Sequence, residues 1–206
     1  FFMLKGCSEN EPAALRRVHI DGKYGVGYDK EHMLLNAEYA DISGTAIGDQ
    51  WVTTDAQGKK GVAYVSDSIV NRISPAFSDV DRYGNSAAVV VSDTGKRLVY
   101  KGQFVDDKTY KDISSPGDLG LTFVLQIDGK SELVNMSNWT KTDQKYWWWQ
   151  WADGALRMRR QDATDLYTYD GRPLLPGIYQ TSEIADSMIW AYPTKQDWTQ
   201  NKPTLY

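Results

Sequence analysis

The residues best suited to recognition chemistry lie between Tyr146 and Gln161. The chain there reads Tyr-Trp-Trp-Trp-Gln-Trp, then Ala-Asp-Gly-Ala, then Leu-Arg-Met-Arg-Arg-Gln, and it holds half of the eight tryptophans. Asp-Gly between strand-forming residues predicts a hairpin, because a two-residue type I′ turn needs positive φ at both central positions. With Asp153 and Gly154 as the turn, Ala152 pairs with Ala155. Trp151 then opposes Leu156, Trp149 opposes Met158 and Trp147 opposes Arg160. Side chains alternate along a strand, so these residues share one face, which is expected to be core. The other face carries Tyr146, Trp148, Gln150, Arg157 and Arg159. Trp148 between two arginines has the spacing for cation–π stacking. Trp and Arg are also the usual anchors of interfaces. These five residues are the candidate binding set.

Other chemistry finds little support. Serine or cysteine hydrolysis needs a nucleophile with a base. The chain has two histidines, His19 and His32, one cysteine, Cys7, and no Gly-x-Ser-x-Gly elbow. The same counts argue against a structural zinc site and rule out an internal disulfide. Gly22, Gly25 and Gly27 lack the strand–turn–helix context of a dinucleotide fingerprint. Asp79 to Asn85 has the outline of a calcium loop, but its fifth position is Tyr83 and its twelfth would be Val90. The enzyme alternative is a two-carboxylate glycosidase drawing on Glu132, Asp143, Asp162 or Asp165, near the tryptophan hairpin in sequence. No spacing singles out a pair, so the expectation is a non-enzyme with no cofactor.

The formal net charge is −4 over 206 residues. An acidic chain is poorly suited to neutralise phosphates, and the basic group Lys141, Lys145, Arg157, Arg159 and Arg160 is interrupted by Asp143 and Asp153. Nucleic acid is therefore not an expected partner. No apolar run reaches membrane-spanning length.

The segment Phe1 to Cys7 reads Phe-Phe-Met-Leu-Lys-Gly-Cys. Its short apolar run ending in Leu-x-Gly-Cys resembles the end of a bacterial lipoprotein signal, with Lys5 where the lipobox has a small residue. The resemblance implies lipidation of Cys7 and a tether to a membrane surface, in the periplasm or at the outer membrane. Residues 1–14 are then a polar tether or signal remnant, and residues 15–206 one β-rich domain. In a bacterial setting the formal sequons at Asn135 and Asn138 carry no glycan.

The elements that must position the tryptophans are mostly hairpins. Asp-Gly pairs recur at Asp21, Asp128, Asp153 and Asp170, too unevenly for a sequence repeat. Trp51 to Thr54 and Gly61 to Val65 read as strands. Ala87 to Val91 is expected to pair with Arg97 to Lys101 across a five-residue loop. Leu119 to Ile127 returns through Glu132 to Met136, and Leu166 to Tyr169 turns at Asp170-Gly171. Three stretches fit helical spacing: Asp29 to Ala40 with Asp29 as cap, Ser66 to Ile73, and Ser182 to Tyr192. The fold class is therefore mainly β, an antiparallel sandwich or barrel-like meander of hairpins with one to three short helices.

The function expected is that of a non-enzymatic interaction protein of the bacterial envelope. One form is a periplasmic lipoprotein that neutralises a toxin or docks an envelope machine. A glycan-binding module using Trp148, Arg157 and Arg159 is the alternative. A filament or virion subunit with Phe1 to Ala14 as an arm is another.

Overall fold

The computed structural model describes residues 14–44, 49–66, 69–115, 122–136, 139–142, 146–152, 154–160, 163–168, 171–175, 181–185, 188–192 and 204–205. It consists of six antiparallel meanders in strict chain order. The first is β1 (Arg16–Ile20), β2 (Lys23–Gly27) and β3 (Met33–Tyr39). The second is β4 (Asp41–Gly44), β5 (Gln50–Thr54), β6 (Lys60–Ser66) and β7 (Ile69–Phe77). The third is β8 (Asp79–Tyr83), β9 (Ala87–Ser92), β10 (Gly95–Tyr100) and β11 (Gln103–Phe104). The fourth is β12 (Asp112–Ser114), β13 (Thr122–Ile127), β14 (Lys130–Asn135) and β15 (Thr140–Lys141). The fifth is β16 (Trp148–Ala152), β17 (Ala155–Arg159), β18 (Thr164–Tyr167) and β19 (Pro173–Leu175). The sixth is β20 (Thr181–Ala185), β21 (Met188–Tyr192) and β22 (Thr204–Leu205). Four-stranded meanders repeated along a chain are the unit from which β-propellers are built.

The mainly β, hairpin-rich fold class expected from the sequence is observed. The helices are not, among the described residues. Asp29 to Ala40 shows why. Asp29 does act locally: its Oδ1 accepts the backbone N–H of Glu31 at 2.8 Å and of His32 at 2.7 Å. Those bonds close a turn, and the chain then enters β3, burying Leu35 and Tyr39. Asx turns and helix caps use the same side-chain chemistry, so tertiary pairing with β2 decides between them. The His32 ring hydrogen bond, followed by the His32 backbone N–H, holds the Asp29 carboxyl below its ordinary range. Residues Ile69 to Ile73 belong to β7, Ser182 to Ala185 to β20 and Met188 to Tyr192 to β21.

Each sheet packs on its neighbour in the chain. Val26, Leu35 and Tyr39 of the first sheet meet Ile42, Trp51, Ala63 and Val65 of the second. Val62 faces the other way, toward Ala88, Val90 and Val99 of the third. Ala87, Val89 and Leu98 then face the fourth sheet, against Phe123, Leu125 and Val134. Val124 and Leu133 face the fifth, against Leu156 and Met158. Leu166 and Leu175 meet Ala191 of the sixth. Interior sheets are thus buried on both faces, which makes β6 and β9 near-continuous apolar runs rather than alternating ones.

Turn chemistry fixes the hairpins. Asp21-Gly22 and Asp128-Gly129 have positive φ at both positions, as a type I′ turn requires. The β9–β10 hairpin departs by one residue from the expected register. Gly95 pairs with Ser92 and Ala87 with Tyr100, so the loop is the two residues Asp93 and Thr94. Both faces of this hairpin are apolar, so hydrophobic pattern could not discriminate the two registers. Asp79 to Tyr83 is a strand with Asp79 ion-paired to Lys60, not a calcium loop.

Gly25 shows how close neighbouring strands approach. A Cβ there would lie 2.3 Å from the Leu35 carbonyl oxygen and 2.8 Å from the Ala37 nitrogen. Both are backbone atoms, beside the irregular register of β2 with β3. Gly25→Ala is expected to cost about 1–3 kcal/mol by forcing that backbone to shift, read as a lower urea midpoint.

A second expected result concerns acid. Lys96 and Asp112 tie the third sheet to the fourth at 2.6 Å. Burial pushes the Asp112 carboxyl up, but hydrogen bonds from Lys96 and Ser114 outweigh it, and the net shift is downward from 3.8. A lowered folded-state value gives stability that is present above the unfolded value and lost as pH falls through the folded one. Thermal unfolding followed downward from pH 5 should therefore lose less in Asp112→Asn than in the wild type.

Candidate functional site

The tryptophan hairpin forms with the register expected. Trp151 pairs with Leu156, Trp149 with Met158, Gln150 with Arg157 and Trp148 with Arg159. Gly154 has φ of 80°, while Asp153 lies outside the described residues. Trp149 and Trp151 are half-buried and pack with Leu156 and Met158 against the fourth sheet. On the opposite face Trp148, Gln150 and Arg159 are exposed and Arg157 is half-buried. Arg157 is engaged by neighbouring groups. Cation–π contacts among the described residues include Arg17 over Tyr24, Arg97 over Phe104 and Lys101 over Tyr100.

Two residues depart from expectation, for one reason. Tyr146 was expected on the exposed face and is fully buried, whereas Trp147, expected in the core, is 66% exposed. Alternation from Trp148 backward breaks because β14 captures Tyr146. The Ser131 N–H donates to the Tyr146 carbonyl at 2.7 Å, and the Tyr146 N–H to the Ser131 carbonyl at 2.9 Å. The chain bends at Trp147 before β16 begins. Trp147 and the 48% exposed Trp148 therefore stand consecutively at the surface. The Trp147 N–H also donates to the Arg159 carbonyl at 2.8 Å, fixing the bend to β17.

Beneath the pair lies a polar anchor. The Tyr146 hydroxyl is 2.5 Å from Asp165 Oδ2 and 2.7 Å from the Tyr167 hydroxyl. Arg160 reaches Asp165 Oδ1 at 3.3 Å. Burial, then hydrogen bonding to Asp165, pushes the Tyr146 phenol far up, so it stays a protonated donor. No sequence pattern announces this anchor, because it joins residues far apart in the chain.

Of the carboxylates considered for catalysis, the two among the described residues, Glu132 and Asp165, are each engaged by other side chains. Asp165 is held by Tyr146 and Arg160, and the buried Glu132 pairs with Lys141 at 2.8 Å. Asp143 and Asp162 lie outside the described residues, as does Cys7. Among the described residues no three His, Cys, Asp or Glu side chains gather as a metal site, and no helix is long and apolar enough to cross a membrane.

No family model and no characterised protein sequence matches the chain. A solved structure of PorZ, described as an essential bacterial surface component of the type-IX secretion system of Porphyromonas gingivalis, aligns with it at a TM-score of 0.31 and 11% identity. The alignment covers 95% of this chain and 32% of PorZ, so the chain spans about a third of that protein.

Proposed function

We propose that this chain is a non-enzymatic interaction protein that takes a protein partner on the face formed by Trp147, Trp148, Gln150 and Arg159. The observation that carries the reading is the pair of consecutive exposed indoles held on a buried anchor. Large aromatics left in water are costly, while a rigid Trp beside an Arg has the composition of an interface hot spot. The anchor keeps the pair pre-organised, which lowers the ordering cost of binding. An envelope setting, with Cys7 as the lipidated residue, rests on the lipobox-like segment. Mass spectrometry of the cellular N-terminus tests it: an unmodified Cys7 thiol would remove that part of the reading.

The binding reading is tested with immobilised wild-type chain and the double variant Trp147→Ala/Trp148→Ala in bacterial envelope extract. Both sites are exposed, so the variant should lose only about 0.5 kcal/mol of stability per site. The wild type should retain a discrete protein, and the variant should bind that purified protein at least about 30-fold more weakly, the size of one hot-spot loss. Equal affinity of the two chains would reject this surface.

A further inference from the structure

A second feature lies apart in sequence from the tryptophan hairpin, where the second, third and fourth sheets contribute to one cleft. It is about 430 Å³ in volume, within the usual range for small-molecule sites. Asn71 of β7 forms one side, Met136 and Trp139 another, and the β10–β11 turn with Tyr100, Lys101 and Gln103 the third. Met136 is buried, while Trp139 is 61% exposed. The Trp139 and Tyr100 rings meet at 86° with centroids 5.4 Å apart, making an aromatic corner.

The backbone holds this corner in costly conformations. Trp139 has φ of 56°, in the left-handed region that a bulky side chain rarely adopts. Such a conformation costs on the order of 1–2 kcal/mol. Exposure of the indole adds a second unfavourable feature to the same residue. The facing turn is fixed as well. Lys101 and Gly102 both have positive φ, and the Asn71 side-chain amide donates to the Lys101 carbonyl at 3.0 Å. A Cβ on Gly102 would come within 2.6 Å of the Asn71 carbonyl oxygen. Tyr100 and Gln103 are cross-strand partners, so their side chains leave the ribbon on one side.

We propose that this cleft binds a pyranose ring bearing a carboxylate, a uronic-acid type of sugar. The C–H face of a pyranose packs on an indole. The Gln103 amide can donate to and accept from ring hydroxyls, and Asn71 Oδ1 remains as an acceptor while its amide nitrogen holds Lys101. Lys101 is exposed and lies 5.4 Å from the Tyr100 ring centroid, with no ion pair among the described residues. Arg97 stacks at 3.5 Å on Phe104, another residue of the cleft. The positive charge at this mouth selects an acidic sugar over a neutral one.

Indole N–H resonances of the intact chain, with Trp139 assigned from Trp139→Phe, would be titrated with glucuronate and separately with glucose to tens of millimolar. Glucuronate should shift the Trp139 resonance in a saturable way, with glucose about tenfold weaker. Trp139→Ala should abolish a saturable response at the remaining cleft resonances, and Lys101→Gln should weaken glucuronate to the level of glucose. Thermal unfolding of each variant identifies any that fails to fold, and Lys101→Gln leaves the aromatic corner intact if Trp139→Ala does not fold. The Trp147→Ala/Trp148→Ala variant should respond as wild type, which separates this cleft from the protein-binding face. No saturable shift with glucuronate, or equal binding of glucose and glucuronate by the wild type, would overturn the proposal.

Discussion

Tyr146→Ala is expected to destabilise the chain by about 3–5 kcal/mol, the range for removing a buried aromatic. Tyr146→Phe should cost about 1–3 kcal/mol, because the ring remains but the buried Asp165 carboxylate loses a donor and the Tyr167 hydroxyl loses an acceptor. The pair of variants separates packing from hydrogen bonding at one position. The Tyr146 hydroxyl is shared between Asp165 and Tyr167, and Arg160 is the ion partner of Asp165. Urea unfolding measures both costs, and an unchanged slope would confirm that only stability has moved. Tyr146→Phe should also loosen the exposed tryptophans, visible as reduced amide-exchange protection at Trp147, whose N–H is bonded to Arg159. A wild-type unfolding midpoint in Tyr146→Phe would mean that the polar anchor contributes nothing.

Phe123→Ala carries the other large effect. Phe123 is fully buried between the third and fourth sheets, and its ring meets Tyr83 edge-on at 5.3 Å. Removing it leaves a void lined by residues of two sheets, and collapse around it would require one sheet to move toward the other. The expected cost is about 3–5 kcal/mol, a large share of the 5–15 kcal/mol that stabilises a typical domain. Phe123→Leu should recover most of that loss, since it refills the space with apolar volume. Equal midpoints for the Ala and Leu variants would indicate that the site relaxes freely and that the two sheets are not tightly packed there.

The parts of this structure that were legible from the sequence are those decided within a few residues. Asp21-Gly22 and Asp128-Gly129 turn where they should, because positive φ at both positions is a local demand. The tryptophan hairpin also keeps its register, with Trp151 opposite Leu156 and Gly154 at a φ of 80°. Long-range decisions were not legible. Tyr146 and Trp147 exchange their expected environments because Ser131, on a different sheet, pairs with Tyr146. The helical spacing at Met33, Ala37 and Ala40 was misleading, since the alternation of β3, with Leu35 and Tyr39 buried and Asn36 and Glu38 exposed, also puts Met33 and Ala37 on one face. The cleft at Trp139 had no signature either, as its walls come from positions between Asn71 and Trp139.

The stacking of sheets has a consequence for how such a chain can change over time. A strand with one wet side can accept polar replacements there. In β9, Val89 and Val90 are turned toward different neighbours, and both are sealed. Neither direction is open to drift without disturbing an adjoining layer. Novelty must then collect at the bends between strands, where exposed residues such as Asp93 and Thr94 can be exchanged without reshaping the framework. A scaffold of this kind can change its ligands while its interior stays nearly fixed.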